Sequence, residues 1–235
     1  MAGWAIGVLI VVGCAAVMAY ASMAPTSQLF GPALVRGPAG SRSIVLTFDD
    51  GPAPPFTEQI LEILAENKIS ATFFLCGKNV ERHPEIARRI VREGHTIGNH
   101  TYSHPFLFGR SRKFIAQEID RAQEVIERVT GVRPTLFRPP YGARWFGLMP
   151  ILKKRGLKLV MWSVMGFDWK YQTQAIIRAT TRKMRSGAVI LLHDGHEQPP
   201  PNGIDQSSTV QALPAIIEAA TKAGLAFVPI EEITG

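Results

Sequence analysis

Ile44-Val45-Leu46-Thr47-Phe48-Asp49-Asp50-Gly51-Pro52 is an apolar, β-favouring run that ends in two adjacent carboxylates and a Gly-Pro stop. Neighbouring side chains on a strand point to opposite faces, so two functional Asp residues cannot share a site inside one. At the strand's last residues, with Gly51 supplying unusual dihedrals, both can turn toward one mouth. Crowded carboxylates favour a cation between or beside them. The stretch therefore calls for a metal ion, an arginine, or both.

Outward from it, strand-like and helix-like segments alternate. Helical spacing marks 57–68, with Ile60, Leu61, Ile63 and Leu64 on one face, and then 84–93, 111–130, 147–155, 173–185 and 210–222. Strand patterns mark 71–75, 95–98, 136–138, 157–164, 188–193 and 226–230. Such βα alternation predicts parallel strands joined by helical crossovers. About seven strands suit a distorted (β/α) barrel, and a doubly wound open sheet fits the same periodicity; in both, the working loops follow the carboxyl ends of the strands. The only low-complexity tract is Pro199-Pro200-Pro201.

Composition bounds the rest. Hydrophobic residues make up 46% and charged residues 19% of 235, which excludes disorder as the main state. The net charge of +7 suits anionic polymers or lipid headgroups, yet no Lys/Arg block is interleaved with aromatics, so nucleic acid is not an expected partner. No protein partner is inferred. Cys14 and Cys76 lie in contexts that make a disulfide implausible.

From Ala2 to Ala24 there is no charged residue, and these 23 residues exceed a membrane span's need of ~20. Ala19-Tyr20-Ala21 and Ser22-Met23-Ala24 are acceptable cleavage patterns, but a signal peptide's apolar region is shorter and follows basic residues. Val11-Val12-Gly13-Cys14 looks like a lipoprotein box placed too early. The reading is a membrane anchor or signal segment at 1–24, with the anchor favoured, a linker at 25–42 rich in Pro and Gly, and a catalytic domain at 43–235. The domain is expected outside the cytoplasm, membrane-anchored, or secreted if 1–24 is removed.

Nearly every expected strand ends in residues of catalytic type. They are Asp49 and Asp50; His100-Thr101-Tyr102-Ser103-His104; Arg138-Pro139-Pro140-Tyr141-Gly142; Asp168-Trp169; and His193-Asp194-Gly195. One helical turn would set His100 and His104 on one side, and two His with a carboxylate describe an open, catalytic Zn-type site. Alone, a His-x-x-x-His pair is as often two surface-loop histidines; beside Asp49-Asp50 the metal reading wins. Arg138, fixed before two prolines, can hold one of the two Asp residues ionised and oriented. A histidine placed like His193, after Val189-Ile190-Leu191-Leu192, is by itself more often a buried, satisfied one.

Together these residues resemble the polysaccharide deacetylase family, the NodB-homology or carbohydrate esterase family 4 enzymes, over about residues 43–231. The resemblance rests on Thr47-Phe48-Asp49-Asp50-Gly51-Pro52, His100 to His104, Arg138 to Gly142, Asp168-Trp169 and Leu191-Leu192-His193-Asp194. It implies a distorted (β/α) barrel of about seven strands. It also implies a divalent metal, Zn2+ first and Co2+, Ni2+ or Mn2+ next, held by Asp50, His100 and His104. Asp49 would be the general base, Arg138 its partner, and His193 the general acid supported by Asp168. Tyr141 would offer a backbone N–H to the oxyanion, while Trp169 and Leu191 wall the acetyl pocket. An additional family Asp three positions before Asp168 is replaced by Met165.

The implied activity is removal of N-acetyl groups from an N-acetylglucosamine-containing polymer or glycoconjugate. Two other readings stand beside it: an O-acetyl esterase or related amidohydrolase, and a non-catalytic carbohydrate-binding protein. Asp49, Arg138 and His193, all present, speak against the last.

Overall fold

The computed structural model describes residues 2–38, 40–196 and 205–233. Pro199-Pro200-Pro201 lies outside them. In chain order the elements are helix α1 (Ala2–Met23), β1 (Ser43–Asp49), α2 (Phe56–Asn67), β2 (Thr72–Leu75), α3 (Gly77–Arg82), α4 (Pro84–Arg92), β3 (Thr96–Asn99) and α5 (Arg112–Thr130). Then follow β4 (Leu136–Phe137), α6 (Leu148–Lys154), β5 (Lys158–Leu159), β6 (Val164–Met165), α7 (Thr173–Thr181), β7 (Val189–His193), α8 (Ser207–Lys222) and β8 (Ala226–Phe227).

The strands form one parallel sheet in the order β5-β4-β3-β2-β1-β7-β6, with β8 pairing the start of β1. β1 is central and buried along its length, as its unbroken apolar run demands. Its alternation divides two cores. Ile44, Leu46 and Phe48 join Ile190 and Leu192 of β7 under the helices, while Val45 joins Val189, Leu191, Phe74 and Phe137 on the concave side. Asp49 continues the concave face and is the register partner of His193, so one pleat sends both toward the same interior.

The sequence reading of one strand over 157–164 is corrected by the structure. β5 and β6 sit at opposite edges of the sheet, although only residues 160–163 separate them. Five peptide steps reach at most ~18 Å, so the edges must approach and the sheet curls into an incomplete barrel. Part of the gap is filled by the segment read from sequence as an extended linker. Leu34 bridges Val160 and Arg36 bridges Ala188, and the Leu34 amide and carbonyl bond Leu159 O at 2.9 Å and Met161 N at 2.7 Å.

Smaller corrections share one cause, tertiary packing overriding local pattern. α7 stops at Thr181 rather than 185, and the last strand stops at Phe227, before a 3-10 turn over Ile230–Ile233. α3 is six polar-rich residues with no apolar period to announce a helix. α5 matches expectation closely: Ser111 Oγ accepts the Phe114 amide at its start, and Gly131 closes it with φ 74°.

Candidate active site

β1 delivers its two carboxylates differently. Asp49 is still in the strand; Asp50 takes the left-handed conformation, φ 77°, which swings its side chain to the same mouth. The freedom expected of Gly51 is therefore exercised by Asp50 itself. Gly51 is needed for space, since a Cβ there would stand 2.0 Å from Asp194 Oδ2. Four bonds pin this turn. Gly51 N donates to Asp194 Oδ1 (3.1 Å), Thr57 Oγ1 to Asp194 Oδ2 (2.6 Å), Asp194 N to Asp49 O (3.2 Å) and Asn79 Nδ2 to Asp50 O (2.7 Å). Burial raises the Asp194 carboxyl, the Thr57 hydrogen bond opposes, and the Asp50 charge adds to the rise; the result is about 7.

His100 and His104 converge, but through a loop and not a helical turn. Thr101 and His104 have φ 68° and 55°. The loop is held by Asn99 Oδ1, which accepts Thr101 N at 2.8 Å, and by Glu118 of α5, which accepts the Tyr102 and Ser103 amides at 3.1 and 2.8 Å. His100 Nδ1 lies 2.7 Å from Arg138 O, a carbonyl that can only accept. This assigns the proton to Nδ1 and turns the Nε2 lone pair to the site.

Both Nε2 atoms then face Asp50 Oδ1, at 3.3 Å from His100 and 3.0 Å from His104. One ligand atom from each of the three buried residues lies within 4.8 Å of the others. Asp50 Oδ1 is itself buried, and among the described residues no donor is aligned with it. A buried acceptor aimed at two imidazole nitrogens with no donor of its own fits a divalent cation held by two His and one carboxylate. Burial would raise the Asp50 carboxyl, but the imidazoles facing it, the charge of His104 first, outweigh that and hold it well below the usual range.

Arg138 is fully buried, and each of its guanidinium nitrogens donates. Nη1 donates to Asp49 Oδ1 (2.7 Å) and Thr47 Oγ1 (2.8 Å), Nη2 to Met161 O (3.0 Å) and Nε to Val160 O (3.3 Å). The Phe74 ring lies 4.1 Å beneath the guanidinium. Asp49 Oδ1 is thus committed to Arg138, while Oδ2 faces the site, 3.7 Å from His100 Nε2.

Across the mouth, His193 Nδ1 lies 2.8 Å from Asp168 Oδ1, and the His193 amide and Thr209 hydroxyl fix Asp168 Oδ2 at 2.7 and 2.8 Å. Burial alone would lower His193; the charge and hydrogen bond of Asp168, with Asp50 and Asp49 nearby, outweigh it and raise the imidazole to about 10. The Trp169 ring meets the imidazole edge-on at 5.2 Å. Leu191 is buried one pleat below His193, paired with Met165. Tyr141, φ 58°, sits in the tight turn Pro140–Gly142 with its ring 4.7 Å from that of His104.

The residues singled out in the sequence thus gather at the carboxyl ends of β1, β3, β4, β6 and β7. Thr47, Thr57, Asn79, Asp194 and Thr209 support them and are not evident as supports from sequence. Only Thr47 and Asp194 carry a signal, being neighbours of the carboxylates and of His193 in the quoted motifs.

Residues 36–160 match the family model described as Polysaccharide deacetylase. A peptidoglycan-N-acetylglucosamine deacetylase of Bacillus cereus is 38% identical over 195 residues, covering 83% of this chain and 69% of its own. A chitooligosaccharide deacetylase of Azorhizobium caulinodans is 37% identical over 198 residues, covering 80% and 92%. A crystal structure of a peptidoglycan N-acetylglucosamine deacetylase with a bound N-oxidanyl-benzamide superposes with TM-score 0.79 at 35% identity, over 85% of this chain and 91% of that one.

Proposed function

The chain belongs to the polysaccharide deacetylase family, and from that premise we propose that it hydrolyses the N-acetyl groups of an N-acetylglucosamine-containing glycan with the residues assembled at this mouth. The observation that carries the reading is the division between adjacent carboxylates: Asp50 faces two imidazoles and Asp49 faces a buried arginine.

Asp50, His100 and His104 would hold a divalent ion, zinc being the first choice for two His and one carboxylate. When bound, such an ion lowers the pKa of a nearby water and polarises the acetyl carbonyl. The chain's own groups do the rest. Arg138 locks Asp49 Oδ1, which leaves Oδ2 to take a proton from the attacking water as its oxygen bonds to the acetyl carbon. Negative charge then gathers on the former carbonyl oxygen, where the Tyr141 N–H, presented by its left-handed turn, is the donor to meet it. An amide nitrogen leaves only as the neutral amine. His193, held protonated by Asp168, delivers that proton as the C–N bond breaks, and acetate and free amine result. Trp169 and Leu191 bound the space for the acetyl methyl.

An ester releases a far better leaving group and needs His193 less, so relative rates on amide and ester substrates separate this reading from an O-acetyl esterase. The direct test is acetate release by the purified full chain, supplied with Zn2+ or Co2+, from peptidoglycan and chitin oligomers. Release abolished by chelation and restored by the metal is expected; no release from any N-acetylated glycan overturns the proposal.

A further inference from the structure

The apolar helix α1 does not leave the domain through a free tether. Its last turn and the residues after it are built into the fold: Ala21 and Ser22 are buried, as is Ser27 beyond the helix, and the Arg144 amide donates to Ser22 O at 2.9 Å. The Arg144 side chain, fully buried, holds the turn that follows the helix, with Nη1 on Ser27 O (2.6 Å) and Nη2 on Ala24 O. A cation just beyond the C-terminal end of a helix is favourably placed with respect to its dipole. Cleavage after Ala24 would remove two of these acceptors, Ser22 O and Ala24 O, while cleavage after Ala21 would keep all three but place a new ammonium group at Ser22, close to the buried guanidinium. Along α1, exposed Trp4 and Tyr20 lie about 24 Å apart near the two ends of the apolar run, positions where aromatic residues flank a membrane span.

Beside that helix end the surface is aromatic. Phe30 meets Phe146 (5.0 Å), Phe146 meets Trp145 (5.0 Å), Trp145 meets Phe108 (4.2 Å), and Phe106 reaches from Phe108 to Tyr141 at the mouth of the site. Leu29, Phe106, Phe108 and Phe146 are exposed. Arg110, Arg112 and Lys113 stand exposed beside them, and the three segments that build the patch, 25–38, 100–117 and 139–157, contain no Asp or Glu. A soluble surface has little reason to group this many aromatics; an interfacial one does.

We propose that α1 is retained as a membrane anchor locked to the catalytic domain by Arg144, and that the Leu29/Phe30/Phe106/Phe108/Phe146 patch rests on an anionic bilayer surface. The occupant is a lipid surface because the patch is continuous with the end of an apolar span and is rimmed by cations. Resting on the deacetylase reading, the consequence is a substrate class: N-acetylated glycan held close to the membrane, since the site mouth at Tyr141 adjoins the docked patch.

The test uses the full chain with Cys14→Ser and Phe146→Cys, labelled with an environment-sensitive fluorophore and reconstituted into phosphatidylglycerol/phosphatidylcholine vesicles containing a headgroup-depth quencher lipid. A second sample carries the label through Lys68→Cys, at the far end of α2, with Cys76 buried in both. At least about threefold stronger quenching at position 146 than at 68, on a protein whose N-terminal sequence still includes α1, is expected of interfacial contact. Equal, weak quenching at both positions, or a mature chain starting at residue 22 or 25, overturns the proposal. So does a label at 146 that ignores lipid and responds to a soluble chitin oligomer, which would make the patch a glycan platform. None of these readouts needs turnover, so their failure leaves the deacetylase reading intact.

Discussion

Asp168→Asn removes the charge that holds His193 protonated while leaving a side chain of the same shape. In the native site burial disfavours the imidazolium, yet Asp168, 2.8 Å from Nδ1, raises His193 to about 10. Without that charge, burial is opposed only by the weaker influence of Asp50 and Asp49, and the imidazole falls toward its ordinary ~6.5. At pH 8 the protonated fraction then drops from nearly all to ~3%, a loss of roughly thirtyfold in available acid; at pH 6 most of it returns. The assay is kcat/KM for acetate release from pH 5.5 to 9.5. The alkaline limb should move down by more than one pH unit, and the defect should be far smaller at pH 6 than at pH 8. An ester substrate should show a much weaker effect. A loss equal at every pH would mean that Asp168 acts by orientation alone, and would refute the reasoning. Stability reports the same pair: because the folded His193 pKa lies above the unfolded one, its contribution is complete below pH ~6.5 and is lost as pH rises through about 10, and Asp168→Asn should flatten that dependence.

Arg138→Met leaves the buried Asp49 carboxylate unanswered and frees two backbone carbonyls, so unfolding by urea should show a loss of about 3–5 kcal/mol together with lost turnover. Gly51→Ala forces a methyl to 2.0 Å from Asp194 Oδ2 and should lower the melting temperature and the bound-metal stoichiometry together; a Gly51→Ala protein with native metal content would contradict the packing argument. Tyr141→Gly keeps both the left-handed φ and the backbone N–H, so kcat should change by no more than about tenfold, whereas a loss near 10³ would assign the role to the phenol ring.

The site is legible in the sequence because its residues cluster where strands end, and strand ends are what apolar runs followed by Gly, Pro or polar residues reveal. Asp49 and His193 each stand at the end of such a run, and their register pairing across β1 and β7 follows. What resists reading depends on distant partners. Residues 157–164 look like one strand because all are suited to it; only the curled sheet, with Leu34 inserted beside Val160, breaks them in two. The Pro- and Gly-rich segment 25–42 reads as linker because the partners of Leu34 and Arg36 lie more than a hundred residues away. The spacing of His100 and His104 pairs them rightly through the wrong geometry, since nothing local announces left-handed Thr101 and His104 held by Glu118. Asp194 is hidden by its neighbour: beside a histidine with an evident role, a second acid that only buttresses a turn leaves no pattern of its own.

The division of labour between adjacent acids is the central claim, and metal content measured alongside acetate release in Asp49→Asn and Asp50→Asn tests it most directly. Asp49→Asn should retain close to the native metal stoichiometry and still bind a chitin oligomer while turnover falls by ~10³ or more, whereas Asp50→Asn should lose the metal itself. An Asp49→Asn protein that turns over at the native rate, or an Asp50→Asn protein that keeps its metal, would contradict it.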